Sequence, residues 1–170
     1  MNAGSGDFDT AALYRAIEDH RLARGVTWAE VARDINSLFR DASSSPISVT
    51  TLRSLQTRTV VEGDGVLQVL RWLDAAPERF MPGTTRSEAL PHARADQLLR
   101  FDTQRVYVAL DARRHERGIS WKQVAYEIPG TSASSLTRLA HGGRTSFPQI
   151  GRIAQWLERT IASLVRVTDR

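Results

Sequence analysis

Apolar positions recur along this chain in steps of three and four, the spacing that places them on one face of a helix. Leu13 and Ile17, then Val31 and Ile35, then Leu52 and Leu55, then Val66, Val69 and Leu73 follow that rule, with polar residues between. The same order returns as Val106 and Leu110, Val124 and Ile128, Leu136 and Leu139, and Ile150, Ile153 and Leu157. Each group predicts a short amphipathic helix. A fifth short helix is expected in each half, at PERF (77–80), where proline suits a first turn, and over RTIASLVR (159–166). No alternating pattern of the strand type stands out, so the expected class is all-α.

Boundary residues sharpen these helices. Gly25 and Gly118 follow the first helix of each half and suit the left-handed position that ends it, with Val26 or Ile119 packing back. Thr27 with Glu30, and Ser120 with Gln123, have the spacing of capping boxes. Pro129–Gly130 stops the helix that begins at Trp121, and Ser132 caps the next one after a short turn. In the first half, NSLFRDASSSPIS (36–48) instead lengthens the second helix by about a turn and continues as a serine-rich loop to the cap at Ser48.

These parallels reflect a duplication. Phe8 to Ile35 matches Phe101 to Ile128 at a constant offset of 93, with twelve of 28 positions identical. The match resumes at an offset of 84, pairing Leu52 with Leu136, Leu55 with Leu139, Trp72 with Trp156 and Leu73 with Leu157. The first copy therefore carries nine extra residues before its third helix. The expected organisation is a first domain over 1–81, a linker over 82–97 marked by Pro82, Gly83 and Pro91, and a second domain over 98–170. Residues 1 to 7 are small and polar and are expected to form a disordered tail. The four tryptophans fall as repeat-related pairs, Trp28 with Trp121 and Trp72 with Trp156, and are expected to be mostly buried core residues.

The second copy carries the most telling stretch, SWKQVAYEIPGTSASSLTRL (120–139): a capped helix, a glycine turn and a second capped helix with small polar residues and one Arg on its free face. With the VA pair Val124–Ala125, the Leu139–Gly142 L-x-x-G and the Trp156–Leu157 pair, it resembles the Cro and lambda-repressor type, or XRE-like, helix-turn-helix family. Two features depart from that pattern: Trp121 stands where many members carry a phosphate-touching Gln, and Pro129–Gly130 adds a residue to the turn. The resemblance implies two tandem five-helix lambda-repressor-like domains that bind double-stranded DNA as a transcriptional regulator, with repression the expected sense.

On that resemblance, the third helix of the second copy presents Ala133, Ser134, Thr137 and Arg138 to base edges from its cap at Ser132, because Arg can bind guanine bidentately and Ser or Thr can serve bases or phosphates. Lys122, Gln123, His141 and Arg144 stand around it as phosphate contacts. In the first copy the corresponding candidates are Thr50, Arg53 and Arg58.

Charge separates the copies. Residues 1–81 hold nine Arg against eleven acids, and residues 100–170 hold twelve Arg and Lys against six. Phosphate neutralisation drives DNA affinity, so the second copy is the better reader. The acids of Glu62–Gly65 (EGDG) are expected near the path of a DNA backbone, and two carboxylates are too few for a calcium loop. Two roles stay open for the first copy: a second reader, or a module that makes a homodimer or holds another partner.

Composition excludes other classes. There is no cysteine, so disulfides, thiolate chemistry and Cys-based zinc sites are absent, and His20, His92, His115 and His141 are scattered without ligand spacing. No glycine-rich phosphate loop follows a strand, and no catalytic set stands out, so neither an enzyme nor a cofactor is expected. The start lacks a signal-peptide pattern and no apolar run reaches membrane length, so a cytoplasmic protein without a membrane partner is expected. The competing reading is a protein-interaction module, antitoxin-like or a scaffold subunit, built on the same domains without DNA reading.

Overall fold

Capping side chains set the frame of the chain in the computed structural model, which describes residues 7–58 and 61–169. Asp9 accepts from the Ala12 N–H at 2.9 Å and starts α1 (Thr10–Arg24), which ends at Gly25 with φ 64°. Thr27 and Glu30 form the reciprocal capping box that opens α2 (Trp28–Ser37). Ser48 caps α3 (Val49–Ser54), and α4 (Gly63–Leu73) is followed by a 3₁₀ turn at Pro77–Phe80. After β1 (Leu98–Phe101), Asp102 starts α5 (Thr103–Arg117), which ends at Gly118 with φ 63°. Ser120 caps α6 (Trp121–Glu127) and Ser132 caps α7 (Ala133–Thr137), which tightens into a 3₁₀ turn at Arg138–His141. Then come α8 (Phe147–Leu157), a 3₁₀ turn at Ala162–Leu164 and β2 (Val165–Thr168). The chain is mostly helical.

The apolar stripes face inward as their spacing requires. Leu13, Ile17, Val31, Ile35, Leu52, Val106, Leu110, Val124, Leu136, Ile150 and Ile153 are wholly buried. At roughly 1.5–3 kcal/mol for each such side chain, this burial is the main drive for the fold. No described helix is long and apolar enough to cross a membrane.

Four expectations change. The first is the strand pair. β1 and β2 run antiparallel with Leu98 opposite Thr168 and Phe101 opposite Val165, so the helix expected over 159–166 is only the short turn at Ala162–Leu164. Val165 and Val167 alternate with Arg166 and Thr168 at the period of two that suits a strand. The second is the cap of α6: Ser120 accepts from the Gln123 N–H, but the Gln123 side chain turns to Glu127 Oε1 at 3.1 Å. The reciprocal box forms instead at Ser132 and Ser135.

The third concerns the tryptophans, all four of which are only partly buried. Trp28 stacks on Tyr14 and Trp121 on Tyr107, with Arg21 and Arg114 over the outer indole faces. An amphipathic ring covered by a guanidinium closes the core from outside. The fourth is the polar start. Asp7, placed in the tail, holds Arg152 with both oxygens, at 3.0 and 3.3 Å, and residues 1–6 lie outside the described residues.

The two copies meet along a local twofold axis. Glu62 and Ser146, repeat equivalents, face each other in an antiparallel bridge. The Gly63 N–H donates to the Thr145 carbonyl at 3.3 Å, and the Phe147 N–H donates to the Val61 carbonyl at 3.0 Å. Each bond maps onto the other when the copies are exchanged. Aromatic packing repeats the pattern: Phe8 lies 4.4 Å, ring to ring, from Phe147, while its equivalent Phe101 lies against Gly63. The buried apolar residues of both copies consequently form one cluster. The far end of residues 82–97 lies against the first copy, where Arg71 donates to the carbonyls of Ala93, Arg94, Gln97 and Leu38.

Candidate nucleic-acid interface

The free face of α7 is built by local rules. Its inward residues, Leu136 and Leu139, are buried, which leaves Ser134 and Arg138 exposed and Ala133 and Thr137 half-exposed. Ile128 ends α6 in extended geometry, and Gly130 takes φ 81°, so α7 leaves the turn across α6. That left-handed backbone is what favours glycine at this turn, and Arg152 Nη1 lies 2.8 Å from where a Cβ would stand.

Basic residues stand at the start of α6 and in and after the 3₁₀ turn that follows α7. Lys122, Arg138 and His141 are exposed, and among the described residues neither Lys122 nor Arg138 forms an ion pair. Arg144 is 90% exposed, with Glu62 Oε1 at 3.9 Å its acid neighbour. Lys122 and Arg138 are free to meet a phosphate. Other predicted residues are occupied inside the protein. Ser132 accepts from the Ser135 N–H, Gln123 donates to Glu127, and the Thr137 hydroxyl donates to the Ala133 carbonyl at 3.0 Å. They shape the helix and its entry.

In the first copy Thr50 and Arg53 are exposed on α3. Glu18 lies within the electrostatic reach of Arg53, and its carboxyl is held below the usual range first by the hydrogen bond from Arg21 and also by the Arg53 charge. Arg58 is exposed beyond the end of α3, and its carbonyl accepts from Thr10 Oγ1 at 2.8 Å. Of the two acids expected near a DNA backbone, Asp64 is turned inward: it accepts from the Phe101 N–H at 3.1 Å and pairs with Arg100 at 3.5 Å. Burial raises the Asp64 carboxyl above its ordinary value, against the lowering effect of those partners. Glu62 stays exposed, beside the twofold axis.

Sequence reasoning missed the residues that hold this arrangement. Glu127 accepts from Arg117, from Gln123 and from the Trp156 indole N–H at 2.8 Å, and these bonds pull its carboxyl down to about 2. Glu78 is buried and accepts from the Ile161 N–H across the copies at 2.8 Å. The equivalence of Asp34 and Glu127 with Arg24 and Arg117 was a readable signal, because both acid–base pairs keep the repeat offset. Glu78 has an alanine, Ala162, as its equivalent and left no such trace. Among the described residues no group of three His, Asp or Glu side chains is placed to hold a metal ion.

No family model matches the chain, and no curated protein or solved structure matches it.

Proposed function

We propose that the chain is a sequence-specific binder of double-stranded DNA, a transcriptional regulator of repressor sense, made of two tandem helix-turn-helix domains of the Cro and lambda-repressor type. The observation that carries this reading is the twofold relation of the copies. The bonds at the Glu62–Ser146 bridge exchange the two copies, and α3 and α7 are repeat-equivalent elements on the two sides of that exchange. Helix-turn-helix dimers address two half-sites about one helical turn apart in this way. Here both heads belong to one chain. Helix α4 of the first copy packs against α8 of the second.

A protein-interaction module is the second reading, favoured by Tyr126, 84% exposed on α6. Selection of bound sequences from random duplexes, followed by a salt titration of the best one, separates the two. A reader enriches a defined sequence and loses affinity steeply between about 50 and 200 mM salt. Absence of any enriched sequence and of any shift on duplex DNA at the lower salt would leave the interaction module as the reading.

A further inference from the structure

The duplication provides an internal control, because one copy is closed where the other is open. In the second copy Arg152 crosses from α8 to the turn before α7, donating to both oxygens of Asp7 and to the Pro129 carbonyl at 3.2 Å. Its guanidinium fills the space beside Gly130. The equivalent residue in the first copy is Gln68, which is shorter. Its Nε2 donates to the Leu99 carbonyl at 2.8 Å and to the Asp64 carbonyl at 3.2 Å. Its Oε1 is buried and has no partner among the described residues, although the side chain is only 4% exposed.

The nine-residue insertion then moves the wall of the first copy outward. The end of this loop is tied to α2 by a pair of hydrogen bonds: Asn36 Nδ2 donates to the Ile47 carbonyl at 2.9 Å, and the Ile47 N–H donates to Asn36 Oδ1 at 2.8 Å. The space left is a cleft of about 1020 Å³ between this loop, α3, the start of α4 and β1. That is at the upper end of the roughly 300–1,000 Å³ typical of small-molecule sites. A Cβ built on Gly65, at its edge, meets nothing within 4 Å.

The lining sets the chemistry of an occupant. Leu55, Val69 and Leu98 give an apolar wall, and Gln68 gives an unused acceptor. Three arginines reach the rim against two acids. Asp64 pairs with Arg100 and Glu62 lies near Arg144, which leaves Arg58 without an acid partner among the described residues. We infer that this cleft is a binding site for a small organic anion with an apolar ring body and a hydrogen-bond donor, and that the insertion exists to open it. Thr51 and Leu52 belong to α3, so the occupant rests against the outward-presented helix of the first copy. The site stands independently of DNA reading.

The test uses 8-anilinonaphthalene-1-sulfonate, which joins an anionic sulfonate and a donor N–H to apolar rings. Titrated into the full chain, it is expected to bind one saturable site per chain with enhanced, blue-shifted emission. Gln68→Arg, which copies the plug of the second half, and Ser44→Trp, at an exposed rim position, are each expected to weaken binding at least about tenfold. Ser44→Trp is expected to keep the wild-type circular dichroism, so its loss of binding reports on the cleft and not on folding. Absence of saturable binding to the wild type, or equal binding to the wild type and Ser44→Trp, overturns the proposal.

Discussion

Trp156 donates its indole N–H to Glu127 Oε2 at 2.8 Å, and this bond joins the last long helix of the second copy to the helix that precedes its recognition candidate. Arg117 grips the same carboxylate at 2.6 and 2.9 Å, and the guanidiniums of Arg113 and Arg117 flank the indole. The first copy keeps only part of this. Trp72 meets the edge of His20, and Arg24 lies 3.6 Å from Asp34.

The Glu127 network makes stability depend on acid. Its folded carboxyl titrates at about 2 because Arg117, Trp156 and Gln123 all donate to the charged form, while an unfolded Glu titrates near 4.3. The contribution is therefore complete above about pH 4.3 and is lost as pH falls toward 2. Thermal unfolding followed from pH 7 to 2 is expected to show a steeper loss over that window in the wild type than in Glu127→Gln. Parallel curves for the two proteins would remove Glu127 from the account.

The shared core predicts joint unfolding. Phe147 is fully buried and packs on both Phe8, at 4.4 Å, and Phe101, at 5.5 Å, so it touches the entry of each copy. Phe147→Ala is expected to cost about 3–5 kcal/mol. Urea unfolding should remain a single transition, with fluorescence and circular dichroism shifting together. Two separate transitions in the wild type would mean that the copies hold their own cores.

Most of the helical frame was legible in the sequence because its causes are local. Caps at Thr27, Ser48 and Ser132 and glycine stops at Gly25 and Gly118 lie within four residues of the elements they bound. The two strands were not, because Leu98 pairs with Thr168 and each strand has only four residues. The copy–copy packing was hidden for the same reason. Phe8 and Phe101 are identical residues just before equivalent helices, yet only the fold shows that each serves the other copy. The recognition-face candidates were legible as positions on a helix, but the internal bonds of Gln123 and Thr137 depend on side-chain geometry that spacing does not carry.

Two glycines of α4 should respond in opposite senses. At Gly65 an added Cβ meets nothing within 4 Å, so Gly65→Ala is expected to stabilise the chain by about 0.5–1 kcal/mol through helix propensity. At Gly63 the Cβ would lie 2.8 Å from Phe101 Cε2 and 3.2 Å from the Thr145 carbonyl oxygen, and Gly63→Ala is expected to cost roughly 1–3 kcal/mol. Denaturant midpoints for both variants check this pair; stabilisation by Gly63→Ala would contradict the close approach at the twofold axis.

On the proposed function, Arg138 and Lys122 have different roles. Arg138 stands on the recognition face and should meet a base, so Arg138→Ala is expected to cost about 1–3 kcal/mol on the selected duplex and to relax its preference. Lys122, exposed at the start of α6, should meet a phosphate, and Lys122→Ala is expected to weaken all duplexes alike and lower the salt slope by about one. Unchanged affinity and preference in Arg138→Ala at 100 mM salt would mean that α7 does not enter the groove as proposed.

The last prediction concerns the shape of the target. A symmetric pair of identical heads requires a palindrome, but here the heads differ: α3 carries Val49, Thr50, Arg53 and Ser54 where α7 and the 3₁₀ turn after it carry Ala133, Ser134, Thr137 and Arg138. On the proposed function, the packing at the twofold bridge would hold the two heads as one unit, and such a pair would meet successive major grooves about 34 Å apart. One chain should accordingly occupy one site made of two unlike half-sites, with the more cationic second copy supplying the larger share of the phosphate contacts. Footprinting of the selected duplex is expected to show protection on two neighbouring turns without internal symmetry, and the mass of the complex should equal the duplex plus a single chain of 19.0 kDa. Exchange of one half-site for a copy of the other should weaken binding as much as scrambling it. If two chains bind a palindromic site instead, the chain still reads DNA, but the first copy is not the second reader.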